Sequence, residues 1–328
     1  MVVPTKIKQL HAKQVAQYES DGILLLQHHF SADEIHVLSR AVQGELVGKS
    51  ADDETAVRES GTHVVRSVYA SHVAGQPVFK TLVALPKLAA IAAEILKDDV
   101  YVHQFKINMK AGYEGGVWPW HQDSAYWCTE DLMPTDNAVN FFIYLDTVDE
   151  FNGAPMFVPG SRAIPLKTTL VESKQRVPGG DAQEIEEDVS GFVATNLKYE
   201  ISKADLSVAV AQHGLVLGRG KPGDVWLMHP STYHASPANM SPFDRRVIIV
   251  SYNAVSNAPP SQGCRPWYLS STDFTPVRVS TERTDILPTD IEPVADIEAD
   301  MQSGTALLPP PVANGTASTG CAQTEEER

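Results

Sequence analysis

The chain has 328 residues, of which 43% are apolar, so it is long enough to bury a core in one large or two small domains. Its formal net charge is −15, from 41 acidic and 26 basic residues. Such a negative field argues against a nucleic-acid or anionic-membrane partner. No window reaches the ~20 apolar residues of a membrane-spanning helix, and the first fourteen residues lack the apolar run of a signal peptide.

Three cysteines occur without the spacing of a disulfide framework or a metal site, at positions 128, 264 and 321. This usage indicates a reducing, cytoplasmic compartment. The expected partner is therefore a small-molecule substrate, and a homodimer stays open.

The first hundred residues favour helices. Residues 6–20 have helical periodicity that ends at Asp21-Gly22, and ILLLQHHF then predicts a short strand. Ser31 with Glu34 three residues later is a capping-box pattern, which predicts an amphipathic helix over 31–46. Residues 82–97 predict another helix, beginning near Pro86.

From Val100 onward the pattern changes to short apolar bursts separated by turn residues. Such bursts, without amphipathic helices between them, are typical of a β-sandwich or barrel and argue against a parallel α/β sheet. The bursts are VYVHQFKINMKA, AVNFFIYLDTV, APMFVPGS, GDVWLMH and RRVIIVSYNAV.

We therefore predict a mainly β protein with flanking helices, in one domain over residues 1–287. Within it, a helical N-terminal part spans 1–99 and a β core spans 100–287. The polar stretch 166–207 is long for a connection and predicts a lid-like insertion. Residues 288–328 lack aromatic residues and are rich in Pro, Gly, Ala and Thr, which predicts a disordered acidic tail.

The segment WPWHQDSAYW, residues 118–127, places His121 and Asp123 two apart among aromatic residues. In an extended strand, residues two apart share a face, so both side chains would reach one cation. This pair alone is a weak signal, and a structural hydrogen-bonded pair is the alternative. Downstream, His234 offers a third ligand, with His229 as its rival, and Arg245 follows His234 by eleven residues.

Two histidines and one carboxylate on a double-stranded β scaffold form the facial triad of non-haem Fe(II) oxygenases. Three protein ligands leave octahedral iron with open positions for two oxygens of 2-oxoglutarate and for O₂. The far carboxylate of 2-oxoglutarate then requires a cation. Arg245 suits this role, because its planar guanidinium can bind a carboxylate through two N–H groups.

Over roughly residues 21–260 the chain resembles the phytanoyl-CoA dioxygenase-like Fe(II)/2-oxoglutarate oxygenases, and within them the ectoine hydroxylases. The resemblance implies a double-stranded β-helix (jelly-roll) core and an enzyme that uses Fe(II), 2-oxoglutarate and O₂. The blocks that carry it are YVHQFKINMKAG, WHQDSAYWCTEDLMP, NGAPMFVPGS and HASPANMSPFDRRVIIVSYNAVSNAP.

The resemblance also implies residue roles. His121, Asp123 and His234 match the iron ligands, and Arg245 matches the arginine that holds 2-oxoglutarate. Asn108 and Gln104 match polar contacts to the co-substrate, Gln104 also faces the substrate, and Trp127 and Ile249 fall at substrate contacts.

The chain departs from the ectoine hydroxylases beside the iron ligands. Their block W-H-S-D-F-E-T-W is WHQDSAYW here, so Ser124 replaces Phe and Ala125 replaces Glu. Ile249 stands where an aromatic substrate contact is expected. The reaction class therefore transfers, and ectoine becomes one candidate among several small molecules, secondary-metabolite intermediates included.

We predict a dioxygenase that hydroxylates an unactivated C–H bond and releases succinate and CO₂. Desaturation, epoxidation or ring formation with the same cofactors stay open, as do a non-catalytic jelly-roll binding protein and a zinc hydrolase using the same three side chains. The presence of Asp123 argues against halogenation, because halogenases of this kind replace the carboxylate with a small residue.

Overall fold

Two antiparallel β-sheets carry the fold, a double-stranded β-helix with flanking helices. The computed structural model describes residues 10–50, 52–59, 61–165 and 197–291. Its strands are β1 (Ile23–Leu26), β2 (Ala56–Arg58), β3 (Val65–Tyr69), β4 (Val100–Lys110), β5 (Trp118–His121), β6 (Ala138–Tyr144), β7 (Met156–Phe157), β8 (Val216–Leu217), β9 (Val225–Met228), β10 (His234–Ser236) and β11 (Arg245–Ala254).

The described helices flank these sheets. They are α1 (Ala12–Asp21), α2 (Ala32–Gly48), α3 (Ser71–Ala74), α4 (Pro77–Leu82), α5 (Pro86–Leu96), α6 (Asp123–Thr129) and α7 (Lys203–His213). No helix in the part of the chain that the structure describes is both long enough and apolar enough to cross a membrane.

The large sheet has the strand order β1-β9-β6-β11-β4-β3-β2. Its centre is β11, which pairs with β4 on one side and with β6 on the other. Alternate residues of β4 point to opposite faces, so Phe105 and Ile107 enter the main apolar core with α2, α4 and α5. Gln104, Lys106 and Asn108 consequently point to the other face, towards the cavity described below.

The small sheet has the order β5-β10-β7-β8. In it, β10 pairs with β5 so that His234 lies directly opposite His121. The second neighbour of β10 is β7, where Phe157 lies opposite His234. Two short strands therefore bring together histidines that are far apart in the sequence.

Helix starts follow the predicted signals. Ser31 Oγ accepts a hydrogen bond from Glu34 N at 3.2 Å, and Glu34 Oε2 accepts one from Ser31 N at 2.9 Å, so the predicted capping box is confirmed. Pro86 occupies the first turn of α5, where its missing N–H costs no hydrogen bond. Helix α1 ends at Gly22, whose φ of 72° is left-handed and suits glycine.

The structure differs from the sequence-based expectation in the N-terminal part. Residues 1–99 hold β2 and β3, which were not predicted and which extend the edge of the large sheet. Of the predicted insertion, 166–196 lie outside the described residues, while α7 begins within its last residues at Lys203. Of the predicted tail, Pro288–Asp290 form a 3-10 helix, and 292–328 lie outside the described residues.

Helix α3 packs against β4, and this packing makes the folding stability depend on the protonation of one histidine. The His72 ring stacks on Phe105, with ring centroids 5.4 Å apart, and the loss of hydration lowers the pKa of His72 to about 4. Unfolded histidine binds a proton below about pH 6.5. Between about pH 6.5 and 4 the unfolded state therefore binds more protons at this position, so stability falls as the pH falls.

We predict that His72→Phe flattens the pH dependence of the unfolding free energy of metal-free protein between pH 6.5 and 4.5, by up to ~1.4 kcal/mol per pH unit. Urea denaturation at several pH values measures it. The matched control is His36→Phe, since His36 is exposed on α2. Equal slopes for wild type and His72→Phe would contradict the assignment.

Candidate active site

The HxD pair sits at a junction between a strand and a helix. His121 is the last residue of β5, and Asp123 is the first residue of α6. The expectation that both residues lie on one extended strand is therefore wrong. Gln122 is extended, its Nε2 donates to Ser231 O at 2.7 Å, and Ser124 N donates to Pro230 O at 3.1 Å, so the chain turns into α6 against the segment before β10.

The junction nevertheless brings the three predicted ligands together. One ligand atom from each of His121, Asp123 and His234 lies within 4.8 Å of the others. Asp123 Oδ1 is 3.5 Å from His121 Nε2 and 3.7 Å from His234 Nε2. The rings are oriented by their other nitrogens, because Nδ1 of His121 lies 2.7 Å from Pro119 O and Nδ1 of His234 lies 3.0 Å from Thr232 O. With Nδ1–H donating to a carbonyl, each Nε2 keeps its lone pair for a metal.

The charges of the cluster favour metal binding. Burial alone would raise the pKa of the Asp123 carboxyl, but His234, His121 and Lys106 together outweigh it and hold the pKa well below its usual range. Burial lowers the pKa of His234 to about 4, with a further contribution from His121. At neutral pH the cluster thus offers one carboxylate and a neutral His234 imidazole, as the facial triad requires.

A buried network fixes the carboxylate. Asn140 on β6 donates from Nδ2 to Asp123 Oδ2 at 2.8 Å, and Ser251 on β11 donates to Asn140 Oδ1. Asn140 and Ser251 are opposite each other in the β6–β11 ladder. The large sheet therefore orients Asp123, although Asp123 itself belongs to α6.

Arg245 is buried on the cavity-facing side of β11, with 2% of its surface exposed. Its Nη1 donates to Asn108 Oδ1 at 3.2 Å and its Nη2 donates to Gly153 O at 3.1 Å. Among the described residues it has no carboxylate within ion-pair distance. Burial lowers its pKa to about 10, so the guanidinium stays charged at neutral pH. A buried cation of this kind is complementary to an anionic ligand.

The three-ligand cluster lies between two adjoining cavities. Both cavities are lined by Gln104, Lys106, Trp118, His121 and Asp123. The first extends to Arg245 and also includes Asn108, Asn140 and Ile249. The second extends to Arg265 and also includes Tyr69, Tyr126, Trp127 and Leu197. Every residue that the sequence suggested for the site thus lines one or both cavities.

Two cations of this site were not identified from the sequence. Lys106 lies on β4 between Gln104 and Asn108, so alternation along the strand would have found it. Its Nζ is 4.5 Å from the centroid of the Trp118 ring, and burial lowers its pKa to about 8, opposed by Asp123. Arg265 follows the last strand in an irregular segment, where no periodic signal points to it.

Arg265 is held by a buried carboxylate. Its Nε donates to Asp131 Oδ1 at 2.7 Å, and its Nη2 donates to Asp131 Oδ2. His103 Nε2 lies 3.0 Å from Asp131 Oδ2, and the His103 ring packs edge-on against Trp127. A Cβ at Gly263 would lie 2.1 Å from Glu130 O, so only glycine lets this segment approach closely enough.

The rival ligand His229 and the neighbour of Arg245, Arg246, both lie outside the three-ligand cluster. Arg246 points away from Arg245 and forms a two-pronged ion pair with Asp146, with N–O distances of 2.9 and 2.7 Å. Arg246 is half-buried in that pair.

We predict that Asn140→Ala weakens Fe(II) binding about 10-fold or more, since residues that orient a ligand typically contribute a factor of 10–100. Anaerobic Fe(II) titration against a competing chelator measures the dissociation constant. Asn137→Ala, on the same segment but bonded to Leu96 O, is the matched control. Unchanged iron affinity in a folded Asn140→Ala protein would contradict a role in orienting Asp123.

Comparison with known proteins identifies the family. The phytanoyl-CoA dioxygenase (PhyH) family model matches residues 18–247. L-proline trans-4-hydroxylase of Streptomyces griseoviridis is 36% identical over 261 residues, covering 80% of this chain and 92% of that protein. Ectoine dioxygenase of Sphingopyxis alaskensis is 33% identical over 269 residues, covering 80% and 83%.

The fold agrees with a solved relative. The crystal structure of EctD from S. alaskensis with 2-oxoglutarate and 5-hydroxyectoine has a TM-score of 0.71 at 30% identity, covering 85% of this chain and 91% of that one. A crystal structure of EctD with bound Fe matches at a TM-score of 0.69. The chain therefore belongs to the phytanoyl-CoA dioxygenase family and is a non-haem dioxygenase that uses Fe(II), 2-oxoglutarate and O₂.

Proposed function

We propose that the enzyme hydroxylates a C–H bond of a small cyclic amino acid, a class that includes L-proline and ectoine, for which two relatives are named. The observation that supports this most directly is the placement of two buried arginines. Arg245 lines the cavity on one side of the three-ligand cluster, and Arg265 lines the adjoining one. One arginine suits the far carboxylate of 2-oxoglutarate and the other suits the carboxylate of the substrate.

The guanidinium of Arg265 is only partly occupied by protein groups. Asp131 occupies Nε and Nη2 of Arg265, while Nη1 has no hydrogen bond among the described residues. One N–H edge is thus left for a ligand, in a fixed orientation. The neighbouring Lys106 ammonium makes no hydrogen bond within the described residues and adds positive charge. A substrate that carries a carboxylate fits this combination better than one that does not.

Aromatic side chains suit the other end of such a substrate. Tyr69, Trp118, Tyr126 and Trp127 all line the cavity that contains Arg265. Their ring faces favour a positively charged nitrogen, and their bulk excludes water. A cyclic amino acid presents both a carboxylate and a positively charged nitrogen on an apolar ring, so it matches the cations and the aromatic walls together.

In the proposed mechanism His121, Asp123 and His234 hold Fe(II), and Arg245 with Asn108 holds 2-oxoglutarate. The bound metal and co-substrate supply the oxidation: 2-oxoglutarate and O₂ yield succinate and CO₂, and one oxygen atom enters the substrate C–H bond. Arg265 orients the substrate so that one ring carbon faces the cluster, which fixes the position that is oxidised. The aromatic walls keep water out of the site during the reaction.

We also propose a cytoplasmic location. Cys128 and Cys264 are both free, which suits a reducing compartment.

The function is tested by incubating the enzyme with Fe(II), 2-oxoglutarate and O₂ alone and with L-proline, ectoine and related ring amino acids. We expect substrate-dependent succinate and a product that gains one oxygen atom, both lost in Asp123→Ala. A product that loses two hydrogens instead would indicate desaturation. Substrate-independent succinate with no stimulation by any ring amino acid would contradict the substrate class and leave the cofactor assignment intact.

We predict that Arg245→Ala and Arg265→Ala separate the two carboxylates. Loss of a charge-assisted pair costs on the order of 2–5 kcal/mol, which is roughly 30-fold or more in affinity. Arg245→Ala should raise the KM for 2-oxoglutarate and spare the KM for substrate, and Arg265→Ala should do the reverse. Arg219→Ala, an exposed arginine paired with Glu150, is the control. If both variants raise the same KM, one of the two assignments is wrong.

A further inference from the structure

Asp131 is fully buried and is not among the lining residues of either active-site cavity. Its carboxylate accepts hydrogen bonds from Arg265 Nε, at 2.7 Å, and from Arg265 Nη2. His103 Nε2 lies 3.0 Å from Asp131 Oδ2, and the His103 ring packs edge-on against Trp127 with the centroids 4.9 Å apart. Arg265 and Trp127 line the same cavity. Asp131 therefore contacts one lining residue directly and reaches a second through His103.

A backbone carbonyl connects a third lining residue to these groups. Leu269 O accepts from Gln104 Nε2 at 2.7 Å and from Arg265 Nη2 at 3.3 Å. Gln104 follows His103 on β4, and successive residues of a strand point to opposite faces. Gln104 consequently lines the cavity, while His103 lies in the buried layer behind it. One buried network thus joins three residues of the cavity wall, Gln104, Arg265 and Trp127.

The charge of Asp131 holds the centre of this network. Burial alone would raise the pKa of its carboxyl, but Arg265 and the contact with His103 outweigh burial and lower the pKa to about 2. Asp131 is therefore ionised at neutral pH, and its charge compensates the buried guanidinium of Arg265. Two parallel hydrogen bonds also fix the plane of that guanidinium. A ligand bound to the remaining N–H edge of Arg265 would be held in one orientation.

We propose that Asp131 is a positioning residue, which sets where the substrate lies relative to the iron ligands. It acts through Arg265 directly and, by way of His103, on Trp127. The proposal rests on the proposed function, because it takes Arg265 as the partner of the substrate carboxylate. Among the described residues, neither the iron ligands nor Arg245 is hydrogen-bonded to this network. The effect of Asp131 should therefore fall on the substrate and spare 2-oxoglutarate.

The alternative is that Asp131 serves only the stability of the fold, as a buried ion-pair partner. The two roles differ in the coupling ratio, which is the amount of hydroxylated product formed per succinate released. Succinate comes from 2-oxoglutarate and the hydroxylated product comes from the substrate, so a misplaced substrate lowers this ratio. A smaller amount of folded enzyme lowers both yields together and leaves the ratio unchanged.

The test compares wild type with Asp131→Asn, which keeps the shape of the side chain and removes its charge. Both enzymes are loaded with Fe(II) and supplied with 2-oxoglutarate, O₂ and the ring amino acid that stimulates wild type most. We expect Asp131→Asn to lower product formation at least ~10-fold, because small misplacements of a substrate have large effects on rate. Succinate formation should fall less, so the coupling ratio drops. The KM for the amino acid should rise, and the KM for 2-oxoglutarate should stay unchanged.

Asp290→Asn is the matched control. Asp290 also forms a two-pronged pair with an arginine, Arg283, with N–O distances of 2.8 and 2.9 Å, and neither residue lines an active-site cavity. Its replacement should leave the coupling ratio unchanged. If Asp131→Asn does not fold, His103→Phe keeps an aromatic ring beside Trp127 and removes only the contact with Asp131. That variant should also lower the coupling ratio.

The possible results separate this proposal from the proposed function. Stimulation of wild type by a ring amino acid, with an unchanged coupling ratio and amino-acid KM in folded Asp131→Asn, would overturn the positioning role and leave the proposed function standing. Equal falls in product and succinate would likewise reduce Asp131 to a structural residue. Absence of stimulation of wild type by every ring amino acid would overturn the proposed function and the positioning role together.

Discussion

The antiparallel pairing of β10 with β5 sets His234 opposite His121, and the metal site depends on this register. A shift by one residue would turn one ring to the other face of the small sheet and separate the two Nε2 atoms. The pairing also holds the segment before β10 against the junction of β5 and α6, where Ser231 O and Pro230 O accept from Gln122 and Ser124. One register therefore positions two ligands directly and the third through backbone contacts.

Positive charge within the cavity walls is unusual for a chain with a net charge of −15. Lys106, Lys110 and Arg245 all lie on the cavity-facing side of the β4–β11 pair, where Arg245 is directly opposite Lys110. Burial, with help from Arg245, lowers the pKa of Lys110 to about 6, and its Nζ is bound by two backbone carbonyls. A largely neutral Lys110 does not repel the positive charge of Arg245. The Arg245 guanidinium therefore remains the cation at that end of the site.

The strands β4, β6 and β11 were predicted from the sequence because their apolar runs are long, whereas the three-residue strand β10, which carries His234, was not predicted. In β4 the alternation separates Phe105 and Ile107 from the polar residues that face the cavity. The HxD pair, with a later histidine and Arg245, indicated the class of reaction. The prediction that the HxD pair lies on one extended strand was wrong, because the turn at Gln122 depends on contacts with residues more than a hundred positions away. Strand β3 was not predicted because Arg66 interrupts its apolar run, and its burial depends on an ion pair with Glu59 and a hydrogen bond to Val117 O.

The two active-site arginines are buried in different electrostatic states. Arg265 forms an ion pair with Asp131, so its charge is compensated before any ligand arrives and the remaining N–H edge serves orientation. Among the described residues, Arg245 donates only to the neutral oxygens of Asn108 and Gly153, so its desolvation is offset fully only when an anion binds. With Arg245 in its proposed role, the dianionic co-substrate would stabilise the folded site as well as take part in the reaction, because a ligand that binds only the folded state stabilises it. Under the proposed assignment the substrate carboxylate would meet an arginine that is already paired. Arg265 would then contribute mainly orientation, and the aromatic walls would contribute most of the selectivity.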